Sequence, residues 1–182
     1  MIVSFSGAPG SGKSGVAKRL AEKFNWPYYD IGALRRKIAG ERGMTLEEYN
    51  TLGESDPSTD LEVDEYQAKM GREQDNFVIS GRTSWHFIPH SIKIYMNVDP
   101  RIGAERIFKD PSPRNEAKHM GSVDEVLENM KRRQESDSFR YKKYFNINVN
   151  DLKNYDHVID TTDITQEEAF QVVCAIIENI NT

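Results

Sequence analysis

The sequence predicts a doubly wound α/β fold in which helices cover both faces of a five-stranded parallel sheet. Short apolar runs alternate with longer helix-like stretches along the chain, which is the pattern of such a sheet. A glycine-rich segment joins the first apolar run to the first helix-like stretch, as in folds that bind phosphate beside the first strand. The 182 residues, 37% of them hydrophobic, suffice for one core and are too few for two full domains. The predicted strands are residues 2–6, 27–30, 77–80, 92–98 and 157–160.

Capping residues mark where several helices begin. Thr45, Ser122 and Thr165 each precede a glutamate by three residues, which is the spacing of a capping box. Asp99 is followed by Pro100, a helix cap with proline in the first turn. These signals predict helices directly after each cap.

Residues 7–14 read Gly-Ala-Pro-Gly-Ser-Gly-Lys-Ser and lie between the first predicted strand and helix. In such a loop the backbone N–H groups turn toward the β- and γ-phosphates of a nucleotide, and the positive end of the helix dipole points at the same oxygens. Lys13 adds a full charge, and the Ser14 hydroxyl is suited to bind Mg²⁺. We therefore expect a nucleoside triphosphate at the loop formed by Gly7, Ala8, Pro9, Gly10, Ser11, Gly12, Lys13, Ser14 and Gly15.

Composition and charge argue against several classes of protein. The net charge of −5 disfavours nonspecific binding to nucleic acid. No apolar stretch approaches the roughly 18 residues of a membrane span, and the first strand leads straight into the loop, so we expect no signal peptide. The one cysteine, Cys174, lies in an apolar helix-like stretch and is expected in the core. We expect a soluble, cytoplasmic monomer without nucleic-acid or membrane partners.

Two segments, 40–75 and 109–150, are polar and helix-prone, and each emerges after a strand of the predicted sheet. Segments in these positions commonly grip a substrate or close over it. We expect one domain with a substrate-binding insertion at 40–75, a lid at 109–150 and a core that comprises 1–39, 76–108 and 151–182. The acidic run at 54–65 is expected to be a solvated helix face and not a cation site.

The phosphate loop alone does not separate a small-molecule kinase from a GTPase, an ATPase motor or a regulatory switch. Phosphoryl transfer depends on positioning and charge stabilisation, so a kinase needs several cations around the donor and acceptor phosphates. Arg36 follows the second predicted strand and Arg82 follows the third. Because these strand ends lie beside the first strand, both arginines are expected to face one pocket next to Lys13.

Five segments resemble cytidylate kinases. Residues 30–36, Asp-Ile-Gly-Ala-Leu-Arg-Arg, are similar to the Asp-Ser-Gly-Ala-aromatic-Arg element of that family, and Gly-Arg at 81–82 is similar to its Gly-Arg turn. Residues 133–140 resemble its lid pattern of arginine, acid and arginine. Residues 41–49 and 140–161 are similar to the short archaeal-type enzymes, whose compact insertion distinguishes them from the longer bacterial branch.

The resemblance implies a P-loop kinase of the nucleoside monophosphate kinase type, which transfers the γ-phosphoryl group of ATP to CMP or dCMP. It implies that the insertion at 40–75 binds the acceptor, that Arg36 grips the acceptor α-phosphate with support from Arg82, and that Asp137 accepts from sugar hydroxyls. A planar guanidinium group suits this role because it binds phosphate through two hydrogen bonds. The residues implied to bind the acceptor are Asp30, Arg36, Arg82 and Asp137.

For the donor, the resemblance implies ATP as co-substrate, Mg²⁺ at Ser14, and an Arg106 guanidinium stacked on the adenine. Arg133 and Arg140 are implied to close over the transferring phosphoryl group and the acceptor. The residues implied in catalysis are Lys13, Arg133 and Arg140.

Three positions depart from the family pattern. Ser80 ends the third strand where related kinases place a carboxylate near the metal, which predicts slow turnover. Thr83 stands where the bacterial branch has an aspartate that reads cytosine, and the nearby Trp85 and Phe87 either stack on the base or pack internally. Asp110 lies where similar kinases often have another arginine. A kinase for a different monophosphate or small acceptor, and a nucleotide-binding module without transfer chemistry, remain as alternatives.

Overall fold

The computed structural model describes residues 1–111 and 119–180. The strands form one parallel sheet in the order β2-β3-β1-β4-β5, which confirms the predicted fold class. Each strand begins and ends within one residue of the predicted bounds. The strands are β1 (Ile2–Gly7), β2 (Tyr28–Asp30), β3 (Phe77–Ser80), β4 (Ile92–Asn97) and β5 (His157–Asp160).

Helices connect the strands and cover the sheet. None of the helices in the described part of the chain combines the length and apolar character that crossing a bilayer requires. The helices are α1 (Lys13–Phe24), α2 (Ile31–Glu41), α3 (Leu46–Gly53), α4 (Ser58–Glu73), α5 (Ser84–Phe87), α6 (Pro100–Lys109), α7 (Val123–Phe145) and α8 (Gln166–Ile180), with a 3₁₀ turn at Leu152–Asn154.

Alternate residues of the strands enter two apolar clusters on opposite faces of the sheet. Val3 and Phe5 of β1 are fully buried in a cluster with residues of α1 and α8. Ile2 of the same strand joins a second cluster with residues of α2, α4 and β3. The two-residue period of a strand produces this division. Cys174 of α8 is buried in the first cluster, as its apolar surroundings in the sequence predict.

Two of the three predicted capping boxes are complete in the structure, and the third is partial. The boxes at Thr45 and Thr165 are complete, since each hydroxyl accepts from a backbone N–H and each glutamate accepts from the backbone of the cap. At Ser122 the hydroxyl accepts from the Glu125 N–H over 3.2 Å, but the Glu125 carboxylate accepts from the Gly121 N–H. The box predicted at Ser122 is therefore only half formed.

The two polar segments are helical where they are described. Residues 40–75 contain α3 and α4, and the segment 109–150 contains the 23-residue helix α7. Residues 112–118 of the predicted lid lie outside the described residues. Helix α7 contacts the end of α3, because the Tyr144 hydroxyl donates to the Gly53 carbonyl over 2.7 Å. The two segments therefore contact each other.

Candidate active site

The glycine-rich loop runs from the carboxyl end of β1 to the amino end of α1. Gly10 and Gly12 have φ angles of 78° and 81°, in the left-handed region that favours glycine. A Cβ on Gly10 would lie 2.3 Å from the Gly103 carbonyl oxygen, so the loop packs against α6 where only glycine fits. Gly12 has no side chain to cap α1, which leaves the first N–H groups of that helix to bind an anion.

A cavity of about 250 Å³ lies beside this loop at the carboxyl ends of β2 and β3, and we call it the central cavity. Lys13, Arg36, Arg82 and Arg133 all line it. The structure therefore brings Arg36 and Arg82 to the same space as Lys13, the arrangement that the strand order predicts. Other polar residues that line the central cavity include Ser14, Asp30, Asp64, Ser80, Thr83 and Asp110.

Carboxylates position parts of this lining. Asp30 caps α2, since its Oδ1 accepts from the Ala33 N–H over 2.9 Å. Asp137 of α7 is 4% exposed, and its Oδ2 lies 2.7 Å from Nε of Arg82. Asp137 therefore holds Arg82 at the cavity wall through a partly buried ion pair. Asp137 itself does not line the central cavity as described, so its predicted contact with sugar hydroxyls remains a prediction.

A second cavity of about 530 Å³ lies on the other side of the loop, and we call it the outer cavity. It is lined by residues 10–15 of the loop and by Arg106 of α6. Nη2 of Arg106 donates to the carbonyl oxygens of Thr161 over 2.8 Å and Thr162 over 3.1 Å. These bonds fix the guanidinium group beside the segment that follows β5. Lys13 and Ser14 line both cavities, which therefore meet at the loop.

Arg140 is placed differently from the prediction. Its guanidinium group is fully buried, donates to Oδ2 of Asp60 over 2.6 Å, and also donates to Oδ1 of Asp137. Arg35 donates to the other oxygen of Asp60 over 2.6 Å. In the described chain Arg140 lines neither the central nor the outer cavity, because two buried carboxylates bind its guanidinium group. This arrangement does not bring the Arg140 guanidinium group to the transferring phosphoryl group.

The expectation that the acidic run at 54–65 is a solvated face is wrong for two of its residues. Asp60 is 1% exposed and Asp64 is 3% exposed, whereas Glu62 and Glu65 are exposed. Positions 60 and 64 are one helical turn apart and share a face of α4 with the buried Val63. That spacing is a sequence signal for burial, whereas the density of charge in the run favours exposure.

The aromatic residues after β3 pack internally. The Trp85 ring lies 5.7 Å from the Tyr155 ring, and its Nε1 donates to the Arg82 carbonyl over 3.0 Å. The Phe87 ring lies 5.2 Å from that of Phe145. In the described chain neither ring lines the central cavity, so of the two alternatives for Trp85 and Phe87 the structure favours packing.

Solved structures with the same fold include an uncharacterized protein from Eubacterium ventriosum and a shikimate kinase from Bacteroides thetaiotaomicron. The first has a TM-score of 0.71 at 20% identity, and the second has 0.66 at 16%. Each comparison covers 98% of this chain and 98% of the other. At this level of identity the likeness concerns the fold alone.

Sequence relatives extend over nearly the whole chain. The cytidylate kinase of Methanocella arvoryzae is 41% identical over 163 residues, which cover 89% of this chain and 88% of the relative. The cytidylate kinase of Methanocaldococcus jannaschii is 34% identical over 185 residues, with 99% of each chain covered. A model of the cytidylate kinase-like family matches residues 2–163. The chain belongs to the cytidylate kinase-like family.

Proposed function

We propose that the protein transfers the γ-phosphoryl group of ATP to CMP or dCMP, giving ADP and CDP or dCDP. The observation that carries this proposal is the lining of the central cavity, where Lys13 meets Arg36, Arg82 and Arg133. With Arg35, five cationic side chains line this space. Such a set suits two phosphate groups placed end to end, since charge stabilisation is the main contribution a protein makes to phosphoryl transfer. The names of the archaeal relatives support CMP as the acceptor.

On the donor side, the loop would hold the β- and γ-phosphates through its backbone N–H groups and Lys13. The outer cavity would take the adenosine part of ATP. Arg106 supports this assignment because its guanidinium group, fixed on the carbonyls of Thr161 and Thr162, presents a flat surface for stacking.

The oxygen ligands at the loop fit Mg²⁺, which prefers oxygen and keeps several of its waters. Ser14 would bind the ion directly, and the carboxylate of Asp30, which lines the same cavity, would bind its water shell. Mg²⁺, when bound, would neutralise charge on the β- and γ-phosphates.

On the acceptor side, Arg36 and Arg82 would hold the α-phosphate of CMP so that one of its oxygens faces the γ-phosphorus. That oxygen forms the new P–O bond while the bond from the γ-phosphorus to the bridging oxygen breaks, and the electron pair leaves with ADP. No side-chain nucleophile is required. We further propose that segment 40–75 binds the acceptor, and that segment 109–150 acts as a lid that brings Arg133 over the phosphates and excludes water.

A second candidate is a nucleotide-binding module without transfer chemistry. It is favoured by Ser80 and Asp110, which line the central cavity where a carboxylate and an arginine, respectively, would promote transfer. A kinase for another monophosphate is the alternative within enzymes.

A coupled assay of ADP release tests these candidates together. Purified protein with ATP and Mg²⁺ is given CMP, dCMP, UMP, AMP, GMP or shikimate in separate reactions, and Lys13→Ala protein serves as the control for contaminating kinases. We expect the largest stimulation with CMP or dCMP. ATP binding without stimulation of ADP release by any acceptor would favour the nucleotide-binding module. A larger stimulation of ADP release by another acceptor would identify that compound, and not CMP, as the acceptor.

A further inference from the structure

Asp64 of α4 is a buried carboxylate in the wall of the central cavity. Its side chain is 3% exposed, and it lines the cavity together with Thr83, which is 2% exposed. Asp64 belongs to the insertion at 40–75 and lines the same cavity as Arg36, so we expect the base of an acceptor held at Arg36 to reach it.

One carboxylate oxygen of Asp64 is fully engaged. Oδ1 accepts from Nε2 of Gln67 over 2.6 Å and from the Thr83 hydroxyl over 2.7 Å. The Gln67 Oε1 accepts from the Ser84 hydroxyl over 2.5 Å, so the amide is engaged on both sides. The Thr83 oxygen itself accepts from Gln67 over 3.1 Å, so its hydrogen points to Asp64. Oδ1 therefore faces two donors and has no place for a proton.

The other oxygen, Oδ2, is shielded from solvent and has no hydrogen-bond partner among residues 1–111 and 119–180. A buried hydrogen-bond acceptor that has no donor lowers the stability of the folded protein. Burial raises the pKa of Asp64 to about 7, and the charge of Asp60 acts in the same direction. The hydrogen bond from Thr83 and the charges of Arg35 and Arg140 oppose that rise. At neutral pH the group is thus divided between an ionised form and a form with its proton on Oδ2.

We propose that Asp64 selects the base of the acceptor, because its Oδ2 accepts a hydrogen bond from an exocyclic amino group such as that of cytosine. This inference rests on the proposed function, since it requires a pyrimidine monophosphate in the central cavity. Cytosine carries an amino donor at the position where uracil carries a carbonyl acceptor. An ionised Oδ2 therefore attracts cytosine and repels uracil, whereas a protonated Oδ2 can donate to the uracil oxygen.

Binding of CMP and binding of UMP must then change the protonation of Asp64 in opposite ways. CMP stabilises the ionised carboxylate, so its binding near neutral pH releases a proton. UMP binds the protonated form, so its binding takes a proton up. The ratio of CMP affinity to UMP affinity rises by up to about tenfold for each pH unit near neutrality. The ionisation of the nucleotide phosphate is common to both acceptors and cancels from this ratio.

The first test compares Asp64→Asn with Glu65→Gln, a matched loss of one charge at the exposed neighbouring position of α4. In Asp64→Asn the amide oxygen continues to accept from Gln67 and Thr83, which places the NH₂ donor where Oδ2 was. We expect kcat/KM for CMP relative to UMP to fall by at least about tenfold and to lose its pH dependence. Glu65→Gln should match the wild type. An unchanged ratio in Asp64→Asn would overturn the assignment of Asp64 and leave the CMP kinase activity standing.

The second test needs no variant and therefore stands even if Asp64→Asn fails to fold. Calorimetric titration of wild-type protein with CMP and with UMP, in buffers of different ionisation enthalpy near pH 7, reports the protons exchanged. We expect release with CMP and uptake with UMP after subtraction of the phosphate contribution. Equal exchange for both nucleotides would overturn the inference. Absence of ADP release with every monophosphate would overturn the proposed function together with it.

Discussion

Asp30 and Ser80 are register partners at the carboxyl ends of β2 and β3, and both line the central cavity with Ser14. Strand β3 ends in a hydroxyl, while the neighbouring strand carries a carboxylate at the same level of the sheet. The two strands are about 5 Å apart, as in any sheet. Asp30 can therefore supply the negative charge that Ser80 lacks, without any other change in the fold.

Asp30→Asn tests this replacement. Asparagine caps helices as well as aspartate does, so α2 should keep its start and the protein its stability. The loss of charge should raise the Mg²⁺ concentration for half-maximal ADP release by about tenfold. A magnesium titration of the coupled assay measures this, with Glu22→Gln on exposed α1 surface as the control. An unchanged magnesium requirement in Asp30→Asn would show that Asp30 does not contribute to the metal site.

Asp60 holds two buried guanidinium groups, those of Arg35 and Arg140, and its loss would leave both without their shared carboxylate. We expect Asp60→Ala to lower the free energy of unfolding by about 3–5 kcal/mol. Glu62→Ala on the same helix breaks only the exposed pair with Arg42 and should cost at most about 1 kcal/mol. Urea unfolding of the two variants checks the difference, and equal losses would show that the buried network contributes no more than a surface pair.

The raised pKa of Asp64 predicts a characteristic pH dependence of stability. In the unfolded chain the group ionises near pH 4, whereas in the folded protein it ionises near pH 7. Between these values the folded state binds more protons, so the contribution of Asp64 to stability falls as pH rises and is constant above about pH 7. Over that window the loss amounts to about 4 kcal/mol.

Asp64→Asn removes this titration. The free energy of unfolding of the variant minus that of the wild type should therefore increase from about pH 5 to about pH 7 and then level off. Other titrating groups cancel in the difference. Chemical unfolding at several pH values provides the measurement, and a difference that does not vary with pH would mean that Asp64 titrates normally.

Much of the fold and part of the site follow from local signals. The apolar alternation predicts the strands to within one residue, and Arg36 and Arg82 reach the central cavity because parallel strands end at one edge of a sheet. These features are determined by residues within one strand and the turn that follows it. They could be predicted because they follow from local sequence, although Arg82 also pairs with Asp137 of the distant helix α7.

The partners of the acidic and basic residues could not be predicted in the same way. Arg140 meets Asp60, 80 residues away, and this pairing depends on how α7 packs over α4. The packing of α4 against the turn before α5 buries Asp64 beside Thr83, across 19 residues of chain. Such long-range pairs leave only a weak trace in one sequence, here the helical spacing of residues 60 and 64.

In the proposed mechanism Lys13 and Arg36 hold different phosphates, one belonging to ATP and one to the acceptor. Equilibrium binding of ATP and of CMP to Lys13→Ala and Arg36→Ala tests it most directly, with exposed Arg72→Ala as the control for loss of a positive charge. We expect Lys13→Ala to lose at least about tenfold in ATP affinity and to keep CMP affinity, and Arg36→Ala to do the reverse. Equal loss of ATP affinity in both variants would contradict the claim.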